Sequence, residues 1–297
     1  MKYEFMQSHE NEFSIERMSK MLGVSRSIYY CFEKRIPSQR LLEEKRLIMK
    51  IKAVHEASRH TYGSPRIHAE LKDQGETCSR QRVAKLMRKV GLIAKMKKKI
   101  KVTTKKANPK AKAAPNLLEQ NFTAEQPNQR WVADITYVWT LEEWLYVACV
   151  LDLFSRRIVG LAMKDRMTDD LVIAALEQAL MSRNASKGLM HHSDRGSQYT
   201  SHDFQKKLAK HNITASMSGT GNCYDNAVME SFFHTLKTEH VYFERYQTRE
   251  QAKNSIFEYI EVFYNRQRRH STLNYKTPLA FEQNYQQLHS SCLQSVH

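Results

Sequence analysis

The sequence predicts an α/β protein: a five-stranded mixed sheet flanked by helices, preceded by all-α helix-turn-helix segments. Three observations carry that prediction. Residues 1–130 hold 29 Lys and Arg against 13 Asp and Glu, while residues 131–297 hold 18 of each, so the net charge of +16 belongs to the first part. Apolar residues recur at helical spacing before residue 126, and in strand-like alternation or continuous runs after it. Beyond residue 165, helical and strand patterns alternate, which implies parallel strands joined by right-handed crossovers.

Size and composition bound the rest. A chain of 297 residues with 41% hydrophobic content can bury a real core in two domains. No apolar run approaches a membrane span, so no membrane partner is expected. The opening residues Met1 to Ser8 lack the apolar core of a signal peptide, which makes the cytoplasm the expected compartment. Cysteines at 31, 78, 149, 223 and 292 have no paired spacing and read as reduced thiols, neither a disulfide framework nor a zinc site. The basic first part calls for a polyanion, because phosphates are bound largely by counterion release onto Lys and Arg.

Residues 1–36 read as a helix-turn-helix. Ile15, Met18 and Leu22 share a helical face, Gly23 breaks it, and Ser25 is placed to cap a second helix carrying Ile28 and Tyr29. Residues 37–58 form a bridging helix with Leu42, Arg46, Met49 and Ala53 among its positions. Residues 59–93 make a second helix-turn-helix-like segment, with Ser64 as N-cap and Pro65 at the first helical position. Ile67 and Leu71 give its first helix a core face, Gly75 breaks it, and Ser79 caps a helix that ends at Gly91. In that last helix Val83, Leu86, Met87 and Val90 form an apolar face, with Arg80, Arg82, Lys85, Arg88 and Lys89 largely off it as candidate DNA contacts. Residues 94–125 read as a basic linker, since 95–112 hold nine lysines and no acid. Lys97, Lys98 and Lys99 are its candidate DNA contacts.

From residue 126 strands begin. Trp131–Trp139 alternates, which puts Val132, Asp134 and Thr136 on one face. Glu142-Glu143 turns the chain, Leu145–Leu151 reads as a strand buried on both faces, and Arg157–Met163 follows a short turn at 152–156. Helix 169–182, strand 188–193, helix 201–211 and strand 213–217 complete the sheet. A Gly-rich loop, 218–222, leads to a helix capped by Asp225. This core is expected over 126–240, with a helical extension over 241–297. In the extension, 249–265 is amphipathic through Ile256, Tyr259, Ile260 and Phe263. Arg266, Arg268, Arg269 and His270 follow it, suited either to DNA contact or to packing on the core.

Three acids in this half read as one metal site for phosphodiester chemistry. Asp134 sits on the first strand, Asp194 ends the fourth, and Glu230, with 35 residues between it and Asp194, lies on the helix after the loop. If the first and fourth strands are neighbours, Asp134 lies beside Asp194. Two hard cations about 3.5–4 Å apart clamp the attacking and leaving oxygens of an in-line displacement at phosphorus. Mg²⁺ prefers oxygen ligands and keeps several waters, so three carboxylates plus substrate oxygens suffice. Lys237 lies seven residues beyond Glu230, within about 20° of its face, where it can hold a phosphate. Taken singly, each acid has an ordinary structural explanation; the set in these three placements is what points to a site. Asp152 opens a turn with Ser155 and reads as structural, as do His191 and His192, since imidazoles favour transition metals.

The motifs are also recognisable. Tyr62-Gly63-Ser64-Pro65-Arg66-Ile67-His68, Trp131-Val132-Ala133-Asp134-Ile135-Thr136-Tyr137 and His192-Ser193-Asp194-Arg195-Gly196-Ser197-Gln198-Tyr199 stand in order. Ser218 to Ala227, Glu230, Lys237, Tyr264-Asn265, Arg269-His270, Leu273 and Thr277-Pro278 continue the series. Through them the chain resembles, over nearly its whole length, bacterial insertion-sequence transposases of the OrfB type in the IS-three group. Their catalytic core is similar to that of retroviral integrases and RNase H. The resemblance implies an RNase H-like fold and a DDE transposase with Asp134, Asp194 and Glu230 as catalytic metal ligands for two Mg²⁺ ions, with Mn²⁺ as substitute. It implies double-stranded DNA as partner, both terminal inverted repeats and target, with 3′-OH ends joined by transesterification. A homo-multimer, a possible upstream-frame product as further partner, and a place on the bacterial nucleoid follow in the same way.

Overall fold

In the computed structural model, which describes residues 1–33, 38–96, 114–183, 188–219 and 223–294, the chain divides into two compact units, Met1–Ala53 and Val54–His297. The first holds α1 (Lys2–Ser8), α2 (Ile15–Leu22) and α3 (Arg26–Glu33). Ser14 caps α2 by accepting the Arg17 N–H, and Gly23 ends it at φ 64°, a left-handed conformation that suits a residue without Cβ. Met6, Met18 and Tyr29 form its buried centre, so α1, which no sequence signal announces, completes this small core. In α4 (Gln39–Ala57) the buried residues are Leu47, Ile51, Val54 and His55, whereas Leu42 and Met49 of the expected bridging helix are exposed.

The second unit contains α5 (Ser64–Asp73) and α6 (Arg80–Lys89). Ile67, Leu71, Val83, Leu86 and Met87 are buried between and beneath them. The residue preceding α5 is Gly63, so Ser64 is already helical and does not cap it. Ser79 does cap α6, accepting the Arg82 N–H at 3.2 Å.

The sheet comprises β1 (Arg130–Thr140), β2 (Glu143–Asp152), β3 (Ile158–Lys164), β4 (Met190–Ser193) and β5 (Thr214–Met217). Their order is β3-β2-β1-β4-β5; the first three are antiparallel, and β4 and β5 run parallel to β1. The expected five-stranded mixed sheet is therefore present, with the first and fourth strands adjacent. Thr140 pairs with Glu143, so the hairpin loop is Leu141-Glu142. Helices α7 (Asp169–Ser182) and α8 (His202–Lys210) cover one face, burying Trp131, Ala133, Ala148 and Val150 against Leu171, Leu176, Phe204 and Leu208. Gly160 on β3 lets α7 approach closely, since a Cβ there would lie 2.2 Å from the Ala175 carbonyl oxygen.

A 3-10 turn, Cys223–Asn226, leads into α9 (Ala227–Glu239). Asp225 is not its cap. The carboxylate is buried and accepts from the Asn116 and Gln120 side-chain amides (2.9 and 3.1 Å) and from the Gly219 N–H (2.7 Å). Residues 114–122 are correspondingly no free linker: Met217 donates its N–H to the Pro115 carbonyl, and Leu118 is buried. Residues 97–113, and with them Lys97, Lys98 and Lys99, lie outside the described residues.

The expected helix over 249–265 is α10 (Arg249–Glu258) followed by a π-helical turn, Tyr259–Tyr264, and α11 (Pro278–Gln294) comes last. Asn265 closes edge strand β3 with its side chain, accepting the Ile158 N–H and donating to the Ile158 carbonyl, both at 3.0 Å. For two of the C-terminal arginines, packing is the outcome. Arg268 is buried and forks onto Glu239 with two bonds of 2.7 Å, while Arg269 pairs with Glu70 and Asp73, each at 2.6 Å. Arg66 also reaches Glu239 (3.3 Å), and the Tyr62 hydroxyl donates to the Gln267 carbonyl. These bonds place α5 in one unit with the sheet, and the division falls within α4 rather than in the 94–125 segment.

Candidate active site

Asp134 sits in the middle of β1, opposite Cys149 on β2. Strand alternation turns Val132, Asp134 and Thr136 away from the α7 and α8 side, where Trp131 and Ala133 are buried. The β1–β4 ladder pairs Arg130 with Met190, Trp131 with His191 and Val132 with His192. Continued by two residues, the same register sets Asp194 level with Asp134, just where β4 stops. There the chain bends in an Asx turn, the Asp194 carboxylate accepting the Gly196 N–H at 2.9 Å. A Cβ on Gly196 would stand 3.0 Å from that carboxylate oxygen, so the missing side chain makes room for the acid. Asn226 ties the start of α9 to β1 by donating to the Ala133 carbonyl at 3.3 Å, one residue before Asp134. Glu230 projects, exposed, from the first turn of that helix.

Asp194 and Glu230 both act electrostatically on Asp134. Burial first, then the charge of Asp194, pushes Asp134 up to about 8; Glu230 adds to this, while the Ile135 N–H and Lys237 oppose it. Asp194 is raised as well, by loss of solvent around its carboxyl, against the pull of the Gly196 N–H. Lys237 stands over the Tyr137 ring, Nζ 4.8 Å from its centroid, within electrostatic reach of Asp134. The β1–β4 pairing and the Asn226 tie thus set Asp194, Glu230 and Lys237 within electrostatic reach of Asp134.

Among the described residues, no three His, Cys, Asp or Glu side chains close on one point as a dedicated cation cage does. The donor set nevertheless fits magnesium. It is all carboxylate, it opens to solvent at Asp194 and Glu230, and its mutual repulsion is what a divalent cation relieves. The histidines do not belong to it. His192 bonds to the Ser216 and Ser218 hydroxyls (2.9 and 3.3 Å), and burial drives it down to about 4. His191, held neutral by burial, packs against Phe204. Asp152 is structural as expected, accepting the N–H groups of Asn128 and Phe154 (2.8 and 3.0 Å).

On α6, Arg80, Arg82, Lys85, Arg88 and Lys89 are all exposed, a continuous basic face opposite the buried one. Sequence reasoning missed Asp225 and Asn226, which carry the loop and helix bearing Glu230. Asp before a helix reads first as a cap, and only the fold shows its three partners. It also missed Tyr199, a fully buried phenol raised by burial and by the charges of Asp134 and Asp194.

The chain matches the family profile described as Integrase core domain over residues 124–223 and again over 211–278, and that described as HTH-like domain over 42–99. It is 46% identical over 271 residues to the insertion element IS600 uncharacterized 31 kDa protein of Shigella sonnei, covering 91% of this chain and 99% of that one. It is 42% identical over 284 residues to transposase InsF for insertion sequence IS3A of Escherichia coli K12, covering 95% and 98%. The HTLV-2 integrase catalytic core domain, solved in complex with magnesium, aligns with 54% of this chain and 99% of its own length at a TM-score of 0.42 and 18% identity.

Proposed function

Because the chain belongs to the family of InsF transposases of IS3-type insertion sequences, we propose that it is the DNA transposase of such an element. It cuts at the terminal inverted repeats and joins the freed 3′-OH ends to target DNA by phosphodiester transesterification. The observation that carries this reading is the position of Asp134, mid-strand on β1, level with Asp194 just past the end of β4 and within electrostatic reach of Glu230 and Lys237.

In this reading the three carboxylates hold two Mg²⁺ ions, with Mn²⁺ as substitute. Bound there, the metals supply Lewis-acid stabilisation of the attacking and leaving oxygens. The protein's own part is positioning. Asp134, held rigidly in a central strand, fixes the site against the sheet; Asp194 and Glu230 bring oxygens from a turn and a helix. Lys237 neutralises a strand phosphate next to the acids, and the α6 face, with Lys97, Lys98 and Lys99, holds duplex phosphates. Two ends must be brought together for joining, which calls for a multimer. A product of an upstream reading frame is a further partner we include, and the nucleoid in the cytoplasm is the place of action.

The test is a gel assay with labelled DNA from the element's own flanking repeats, with Mg²⁺ or Mn²⁺, on the wild type, Asp134→Asn and Glu230→Gln. Joined products from the wild type alone are expected. Nicks without joining would instead mark a hydrolase of the same fold. Binding unaffected by both substitutions, with no cut, would leave a DNA-binding protein and defeat the reading.

A further inference from the structure

A cavity of about 210 Å³ opens against the face of α9 next to the one that carries Glu230. Ser231 and Thr235 line it from the helix, Arg156 from the turn after β2, and His270 and Thr272 from the segment after the π-helical turn; Phe122, Phe232 and Tyr264 line it as well. At 3.6 residues per turn, Ser231 lies about 100° around α9 from Glu230. The cavity is therefore a neighbour of the carboxylate site and no part of it.

Among the described residues that line it there is no carboxylate, while one guanidinium, four hydroxyls (Tyr264 included) and an imidazole stand among apolar side chains. Arg156 donates one bond to the Phe122 carbonyl (2.9 Å), out of the five donors a guanidinium carries. Ala227 and Val228, in the first turn of the 13-residue α9, line the cavity too, adding the positive end of the helix dipole. Around it, burial, then Arg268, Arg156 and Arg66, push His270 down to about 3, with Glu239, which pairs with both Arg268 and Arg66, opposing. Asp152 is the further acid that acts on Arg156.

We propose that this cavity seats a backbone phosphate of the DNA strand lying across α9, with Arg156 as its cation and the Ser231, Thr235 and Thr272 hydroxyls as donors. The proposal rests on the reading of the chain as a DNA-processing enzyme, and gives the strand a second anchor one face away from the metal ligands.

The test is anisotropy of a labelled duplex carrying the element's end, with Ca²⁺ in place of Mg²⁺, titrated at several salt concentrations. Full-length wild type, Arg156→Gln, Arg156→Lys and Thr235→Phe are compared, with a thermal melt of each. Arg156→Gln should weaken binding about equally on every sequence and lower the log–log salt slope by about 0.9, the effect of one phosphate contact. Arg156→Lys should keep the slope. Thr235→Phe, which fills the cavity without removing charge, should weaken binding roughly 3- to 10-fold while keeping its melting temperature, an order of magnitude set by the loss of about one contact. Wild-type slope and affinity in both Arg156→Gln and Thr235→Phe would overturn the proposal and make the cavity a packing void. A wild type that binds here but neither cuts nor joins in the gel assay with Mg²⁺ or Mn²⁺ would defeat the transposase reading and leave the slope comparison standing.

Discussion

Replacing Asp134 with Asn should raise the melting temperature of the metal-free protein, and raise it more at pH 8 than at pH 5. Burial, and after it the charge of Asp194, hold the folded carboxyl near 8, against about 3.9 in an unfolded chain. The folded state therefore keeps a proton that the unfolded state gives up across that interval. Stability is lost as pH rises from about 4 towards 8, the reverse of the usual aspartate. Below about 4 both states are protonated and the penalty vanishes. The slope has a ceiling of about 1.4 kcal/mol per pH unit. Relaxation and water reaching Asp194 and Glu230 reduce it, so between pH 5 and 8 we expect a difference on the order of 2 kcal/mol, or roughly 4–8 °C. Asparagine keeps the shape and never ionises. It also removes a metal ligand, so magnesium at ten times its Kd, worth about 1.4 kcal/mol to the wild type, should stabilise the variant much less. Dye-monitored melts of both proteins at the two pH values, in EDTA and in MgCl₂, measure all of this. An equal gain at both pH values, or an undiminished magnesium response, would refute the argument.

Four further outcomes are expected. Glu230→Gln should abolish joining by at least about 100-fold while leaving end binding by gel shift within about twofold. Lys85→Ser with Arg88→Ser should weaken binding on every sequence and reduce the salt slope by about 1.8, since two α6 phosphate contacts are lost; an unchanged slope removes α6 from the interface. Glu239→Gln should destabilise the fold by about 3–5 kcal/mol in denaturant titration, because Arg268, only 4% exposed, is left buried without its carboxylate. Gly160→Ala should cost about 1–3 kcal/mol, the new Cβ meeting the Ala175 carbonyl of α7 at 2.2 Å, and a neutral result would mean that β3 and α7 separate readily.

The sheet was legible because its signals are local: alternation at Trp131–Trp139, the continuous apolar run of β2, and turn residues between elements. Asp134 and Asp194 could be paired from sequence because two antiparallel connections followed by crossovers leave few places for β4. Short or non-local features were not legible. Helix α1 buries Met6 in barely two turns, too little for a period to show. In α4 apolar residues occur on several sides, so which of them are buried is decided by partners distant in sequence. Asp225 looked like a cap because its three partners come from residues 116, 120 and 219. For Arg268 and Arg269 the sequence could not choose between DNA contact and packing, because their carboxylates stand at residues 239 and 70, distant along the chain.

The ionic joint around Glu239 bears on how such enzymes exchange their DNA specificity. Glu239 ends the helix that begins near Glu230, and it bonds Arg66 of α5 as well as Arg268. A recombinant grafting a foreign residue 1–113 segment onto this catalytic half would leave Glu239, Arg268 and Arg269 facing surfaces they were not fitted to. A crossover upstream, at the division between Ala53 and Val54, keeps every one of those pairs intact. Shuffling among related elements should therefore leave viable hybrids with breakpoints near residue 53, and few in the lysine-rich stretch where composition alone would invite the cut.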